Sequence, residues 1–117
     1  MSAPFHCKYM SKATEIMKNE IANLNFNTLS NKIISNVTGK EVENIIEIKK
    51  LLVDQIESRV RWRESILYMI DKKINKFIEI GPGKVLNGLI KRIDKNVKVV
   101  SINEIKEMKE LKNNGFF

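Results

Sequence analysis

The residue of this sequence best suited to acid–base chemistry is its only histidine, His6. A histidine that acts as a general base needs a nucleophile to activate, donors for the oxyanion and a group that orients its ring. No G-x-S-x-G elbow and no S-x-x-K motif occurs in the sequence to supply the nucleophile. His6 is therefore either an ordinary histidine or part of a site that this sequence carries incompletely.

The only cysteine, Cys7, directly follows His6. Adjacent residues in an extended chain point to opposite faces, so we expect no Cys–His dyad and interpret Cys7 as a small buried residue. One histidine and one cysteine cannot build a zinc site, and no metal is expected. A lone cysteine also excludes an internal disulfide, which favours a reducing, cytoplasmic location.

The composition indicates a globular protein rather than a nucleic-acid or membrane protein. The 117 residues are 43% hydrophobic and 30% charged, with a net charge of +7. The lysines are scattered among glutamates, and their abundance together with isoleucine and asparagine is typical of an AT-rich codon bias, so no nucleic-acid surface is expected. No apolar run approaches the roughly 20 residues that span a bilayer, and no signal peptide is readable.

The hydrophobic pattern predicts alternating helices and strands. Helices are expected at residues 8–24, 45–56, 61–74 and 84–94, with a weakly helical tail from 104. Short strands are expected at residues 32–37, 77–80 and 97–102. This order predicts an α/β fold, a partial three-layer sheet of about three parallel strands with crossover helices and an exposed edge.

Gln55 and the turn Gly81–Lys84 could have a functional role in addition to a structural one. Gln55 is a polar member of the apolar face of the second helix, and its carbonyl, near the helix end, is free to accept from outside. The turn Gly81–Lys84 between a strand and a helix resembles a phosphate cradle. It matches neither nucleotide-binding glycine pattern, which favours a tight structural turn.

Several segments together resemble a known family. Residues 2–10 (SAPFHCKYM) are similar to the histidine segment of malonyl-CoA:acyl-carrier-protein transacylases, and residues 77–86 (FIEIGPGKVL) to the strand–turn–helix near the C-terminus of that family. Shorter matches keep the same order and spacing at residues 35–38, 52–55, 60–62 and 65–69. The resemblance extends from Ser2 to about Asn103, and the Gly-Pro-Gly-Lys form is more like the free-standing bacterial enzymes.

The resemblance implies a role for each candidate residue. In that family a serine accepts the malonyl group from coenzyme A and passes it to the phosphopantetheine thiol of acyl carrier protein. His6 would be the general base that activates the serine, and the backbone carbonyl of Gln55 would accept its other ring N–H. Malonyl-CoA and carrier protein would be substrates, with no cofactor and no cofactor-binding residues.

The resemblance also implies that part of the site is missing. The segments carrying the family's elbow serine, its oxyanion glutamine, its malonyl-binding arginine and its ferredoxin-like subdomain have no match here. We therefore interpret residues 1–117 as a single incomplete acyltransferase domain, the C-terminal part of such an enzyme, inactive alone. His6, in a near-terminal strand, is expected to lack a fixed ring position.

Two alternatives remain open at this point. One is a non-catalytic module that binds acyl carrier protein through cations such as Lys84, Lys91 and Arg92. The other is one half of a split acyltransferase, completed by a separately encoded N-terminal half that covers the open sheet edge.

Overall fold

A computed structural model describes residues 5–116. Residues 2–4 of the predicted histidine segment lie outside this range. The chain divides into two compact units, a first and a second, with the boundary between Tyr68 and Met69. The first unit contains the two candidate site residues His6 and Gln55, and the second contains the parallel strands.

The first unit is helical. A short 3-10 helix at Lys8–Met10 leads directly into α1 (Ser11–Asn23). It is followed by α2 (Ile45–Asp54) and by α3 (Trp62–Asp71), which runs across the boundary between the units. Helices α1 and α2 pack against each other. The buried apolar side chains of this unit are Ile21, Val42, Leu51 and Ile66.

The predicted strand at residues 32–37 is wrong. This segment forms an isolated antiparallel bridge between Ile34 and Glu41 and then turns back on itself. The hydroxyl of Ser35 accepts from the amide of Val37, and Gly39 adopts a φ of +69°. Side-chain bonds to the neighbouring backbone compete with strand pairing, so the chain reverses before a strand can form.

The second unit is a β–α–β arrangement followed by a helix. Its elements are β1 (Lys76–Ile80), α4 (Val85–Ile93), β2 (Lys98–Ile102) and α5 (Ile105–Asn113). The two strands pair in parallel, with Lys76 opposite Lys98 and Ile80 opposite Ile102. The predicted α/β class and parallel pairing are confirmed, with two strands rather than three in the described residues.

Helix positions were predicted more accurately than burial. Ile16 has the helical spacing of the apolar stripe of α1, yet it is 63% exposed. Val85 has the spacing of the apolar face of α4, yet it is 72% exposed. Helical periodicity identifies which residues share a face, but the elements available to cover that face decide whether it is buried.

Candidate functional site

His6 lies in a turn rather than in a strand. Its φ is +58°, a left-handed conformation that histidine adopts more readily than most residues other than glycine. Cys7 then returns to an extended conformation and precedes the 3-10 helix, whose last amide, that of Met10, donates to the carbonyl of Cys7. The expectation of a near-terminal strand is therefore wrong, and the ring is directed by a tight turn.

Gln55 lies directly after the last residue of α2. Its amide donates to the carbonyl of Leu51 at 2.9 Å, so the residue closes the final helical turn. The following turn tightens, because the amide of Ile56 donates to Val53 and that of Ser58 to Asp54. A carbonyl at the end of a helix has no donor within the helix, which leaves that of Gln55 available.

The two residues meet in the structure. Nδ1 of His6 lies 2.7 Å from the carbonyl oxygen of Gln55, 49 residues along the chain. A carbonyl can only accept, so Nδ1 carries the hydrogen and Nε2 of the neutral ring keeps its lone pair. The prediction that His6 lacks a fixed ring position is therefore wrong, because the ring has a hydrogen-bonded partner that orients it.

The arrangement can move a proton. A neutral imidazole with a free Nε2 can take a proton from a hydroxyl or thiol, and Nδ1–H stays bonded to the carbonyl as the ring becomes positive. Gln55 orients the ring as the aspartate of a common triad does, without adding a full negative charge. The side chain of Gln55 is not needed for this task, since the backbone supplies the acceptor.

His6 borders a small, mostly apolar cleft of about 240 Å³. The other lining residues are Phe5, Met10, Leu52, Gln55 and Ile56. Apolar walls lower the local dielectric and strengthen polar contacts made inside the cleft. The cleft therefore places the ring of His6 beside apolar side chains.

One contact near this site had no sequence signal. Thr14 in the first turn of α1 places its Oγ1 2.5 Å from Oε1 of Glu57, which lies two residues after Gln55. The two residues are 43 positions apart, and no motif relates a threonine to a glutamate at that distance. Only the packing of α1 beside α2 brings them together.

The Gly81–Lys84 turn is a structural turn, as predicted. The backbone amides of Leu86 and Asn87 in α4 donate to the carboxylate of Glu79 at 3.0 and 2.9 Å. The amide of Gly83 donates to the side chain of Asn103. These donors already have acceptors within the protein, so they are not open to a phosphate.

Glu79 is held in its charged form. Partial desolvation raises the pKa of this carboxyl, but hydrogen bonds from the amides of Asn87 and Leu86 and the hydroxyl of Ser101 outweigh it. The net result is a pKa below the ordinary value of 4.5. A sequence signal was available for this contact, since a lone acidic residue in an apolar strand precedes a glycine turn and a helix N-terminus.

The three cations predicted to bind a carrier protein differ in how far they are exposed to solvent. Lys84 and Arg92 are exposed. Lys91 is half-buried and donates through Nζ to the carbonyl of Val97, next to β2. Lys91 therefore helps to close the end of α4 against the following loop, and only Lys84 and Arg92 of this set present their charge to solvent.

Residues 5–116 contain no group of three or more histidine, cysteine, aspartate or glutamate side chains that could hold a metal ion. No helix there is long and apolar enough to cross a membrane.

Known proteins resemble this chain in both sequence and fold. The malonyl CoA-acyl carrier protein transacylase of Bacillus subtilis is 36% identical over 104 residues, covering 89% of the chain and 33% of the relative. The crystal structure of acyl-carrier-protein-S-malonyltransferase from Bartonella henselae is 37% identical with a TM-score of 0.89, covering 98% of the chain and 37% of that structure. No protein-family profile matches.

A further solved structure contains a partner. It is a type II polyketide-synthase acyl-carrier protein in complex with its malonyl-transacylase, 28% identical to this chain with a TM-score of 0.90. The match covers 98% of this chain and 37% of that structure.

These matches make the chain similar, over nearly its whole length, to about a third of the length of known acyltransferases. The chain is similar to proteins named malonyl CoA-acyl carrier protein transacylase or acyl-carrier-protein-S-malonyltransferase. It spans about a third of the length of the curated relatives it matches.

Proposed function

We propose that this chain is the C-terminal part of a malonyl-CoA:acyl-carrier-protein transacylase and contributes the general base of malonyl transfer. His6 is the base, and the backbone carbonyl of Gln55 orients its ring. The observation that carries the proposal is the 2.7 Å contact between Nδ1 of His6 and that carbonyl, which leaves Nε2 able to accept a proton.

The proposed substrates are those implied by the names of the relatives. Malonyl-CoA donates the acyl group, and the phosphopantetheine thiol of acyl carrier protein receives it, without a further cofactor. Both compact units belong to one incomplete acyltransferase domain, and a cytoplasmic location stays a prediction. Because the sequence has no G-x-S-x-G serine to form the acyl ester, the 117 residues alone have no transacylase turnover.

A chimera tests the role of His6. This chain would replace the matching third of the Bacillus subtilis relative, and malonyl transfer from coenzyme A to carrier protein would be measured. We expect the chimera to be active and His6→Ala to lower turnover by about 10²–10⁴-fold, the usual contribution of general acid–base catalysis. Gln55→Ala is the matched control, because it keeps the carbonyl and should retain activity.

Three results would contradict the proposal. They are turnover by the 117 residues alone, an active chimera that tolerates His6→Ala, and a loss on Gln55→Ala as large as that on His6→Ala. The last would assign the orienting role to the glutamine side chain.

A second candidate function is one half of a split acyltransferase. It is supported by β1, whose Ile80 is 80% exposed and whose Ile78 is also exposed. Parallel sheets are usually covered on both faces, and two strands alone are marginally stable. Supplying the other two thirds of the relative as a separate chain distinguishes the two, because a split enzyme regains activity without fusion.

A further inference from the structure

A second polar contact joins the same two stretches of chain as the His6–Gln55 bond. Oγ1 of Thr14 lies 2.5 Å from Oε1 of Glu57 and 3.2 Å from the carbonyl oxygen of Met10. Both side chains are half-buried. A hydroxyl has a single hydrogen, and the shorter contact to a carboxylate takes it because charge-assisted bonds are the stronger ones.

The position of this contact relates it to the site. Glu57 belongs to the tight turn after α2 that begins at Asp54 and includes Gln55. Thr14 is in the first turn of α1, which continues without a break from the 3-10 helix that follows His6. The Thr14–Glu57 bond therefore connects the helix that follows the histidine to the turn that presents its acceptor.

Within the described residues, 5–116, the bond to the carbonyl of Gln55 is the contact that holds the His6 ring in place. The residue is exposed and has a left-handed backbone, so packing contributes little to fixing its ring. One hydrogen bond fixes a distance between two segments but leaves their relative rotation free. A second bond between the same segments removes much of that freedom, which keeps the Gln55 carbonyl in line with Nδ1.

We propose that Thr14 and Glu57 are positioning residues for His6. Their hydrogen bond holds the start of α1 against the turn after α2, and through it keeps His6 in the tautomer with hydrogen on Nδ1. The importance of that tautomer for catalysis rests on the function proposed above.

The presence of a single histidine makes the claim directly measurable. In the full chain labelled with ¹⁵N-histidine, the nitrogen shifts of the neutral ring report the ratio of the two tautomers of His6. We expect the Nδ1–H form to dominate in the native sequence. Thr14→Val keeps the shape and removes the donor, and should lower the ratio by up to about fivefold, as expected for loss of one typical hydrogen bond.

Four variants complete the design. Thr14→Ser retains a hydroxyl and should preserve the native ratio. Glu57→Ala removes the other end of the contact and should match Thr14→Val, while the double variant should be no worse than either single one. Thr38→Val, an exposed threonine of the same unit, is the control and should leave the ratio unchanged.

The outcomes separate positioning from simple stability. A lower unfolding midpoint in Thr14→Val with an unchanged tautomer ratio would overturn the proposal, as would a native ring with no tautomer preference. If Thr14→Val fails to fold, Glu57→Ala and Thr14→Ser decide by the same readout. The tautomer measurement uses no substrate and no transfer reaction. An inactive chimera would therefore refute the proposed function without changing the measured tautomer ratio of His6.

Discussion

The two compact units hold their polar groups in different ways. In the second unit Glu79 bonds to Leu86 and Asn87, seven and eight residues further along the chain, and to Ser101 on the paired strand. In the first unit His6 meets Gln55 across 49 residues. The contacts of Glu79 therefore come from the adjoining helix and the paired strand, whereas the contact of His6 joins the turn before α1 to the turn after α2.

The chemistry of the contacts differs as well. Two helices of the second unit have a carboxylate that accepts from backbone amides at the helix start, Glu79 at α4 and Glu107 at α5. In the first unit α2 is capped by the neutral side chain of Asn44. In the second unit, therefore, carboxylates close in sequence stabilise the helix starts, and acid should weaken them. In the first unit the candidate site depends on the tertiary packing that brings His6 to Gln55.

The largest expected effect lies in the core of the first unit. Ile66 in α3 is 1% exposed, and Ile66→Ala should reduce the free energy of unfolding by about 2–5 kcal/mol through lost burial and the cavity left behind. Urea unfolding followed by the fluorescence of Trp62, the only tryptophan, measures it.

Ile46→Ala is the matched control for Ile66→Ala. Ile46 is in the same unit but is 83% exposed, so its loss should cost less than about 0.5 kcal/mol. Equal losses from the two variants would show that the first unit has no core centred on Ile66.

A smaller effect tests the acid-sensitive cap of the second unit. Glu79 has a folded pKa below 4.5, so its contribution to stability is present above 4.5 and is lost as the pH falls through the folded value. Glu79→Gln should therefore lower stability at about pH 7, and the gap to the native chain should narrow as acid is added. Amide exchange in α4 measures this.

Glu110→Gln serves as the control for Glu79→Gln, because Glu110 is an exposed residue of α5. It should leave amide exchange in α4 unchanged at each pH. A Glu79→Gln effect that does not depend on pH would contradict the assignment of a charged cap.

The smallest expected effect tests the neutral cap of the first unit. The side chain of Asn44 accepts from the amide of Glu47 at 2.9 Å, and Asn44→Ala should cost about 1 kcal/mol. Urea unfolding measures the loss. Asn44→Asp should keep most of the stability, since aspartate caps equally well, and the exposed Asn27→Ala should be neutral.

The Asn44→Ala loss should also stay constant between about pH 7 and 5, because an amide does not titrate. A loss that grows or shrinks over this range would remove the distinction between the caps of the two units.

Much of the second unit could be predicted from local pattern. The β-branched and aromatic run ending at Gly81 indicated β1, and the apolar periodicity after Lys84 indicated α4. In the first unit the same reasoning located the helices but placed a strand at residues 32–37. There the hydroxyl of Ser35 and the left-handed Gly39 reverse the chain, and apolar pattern alone carries no trace of either.

For the candidate site, the family resemblance implied the residues and the bond between them but not the local structure that holds them. The family resemblance pointed to His6 and to the carbonyl of Gln55, and the end of α2 explained why that carbonyl is available. The turn that holds His6 at a φ of +58° was not predicted, nor was the bond between Thr14 and Glu57. Both depend on how the start of α1 lies against the turn after α2.

The sequence by itself determined the helices, the two strands of the second unit and the resemblance that singled out His6 and Gln55. These features rest on periodicity, turn residues and short motifs, which act between near neighbours along the chain. The tertiary structure alone decided that the His6 ring is oriented, because Nδ1 meets a carbonyl 49 residues away. A contact of that range depends on the packing of whole helices, and no local pattern encodes it.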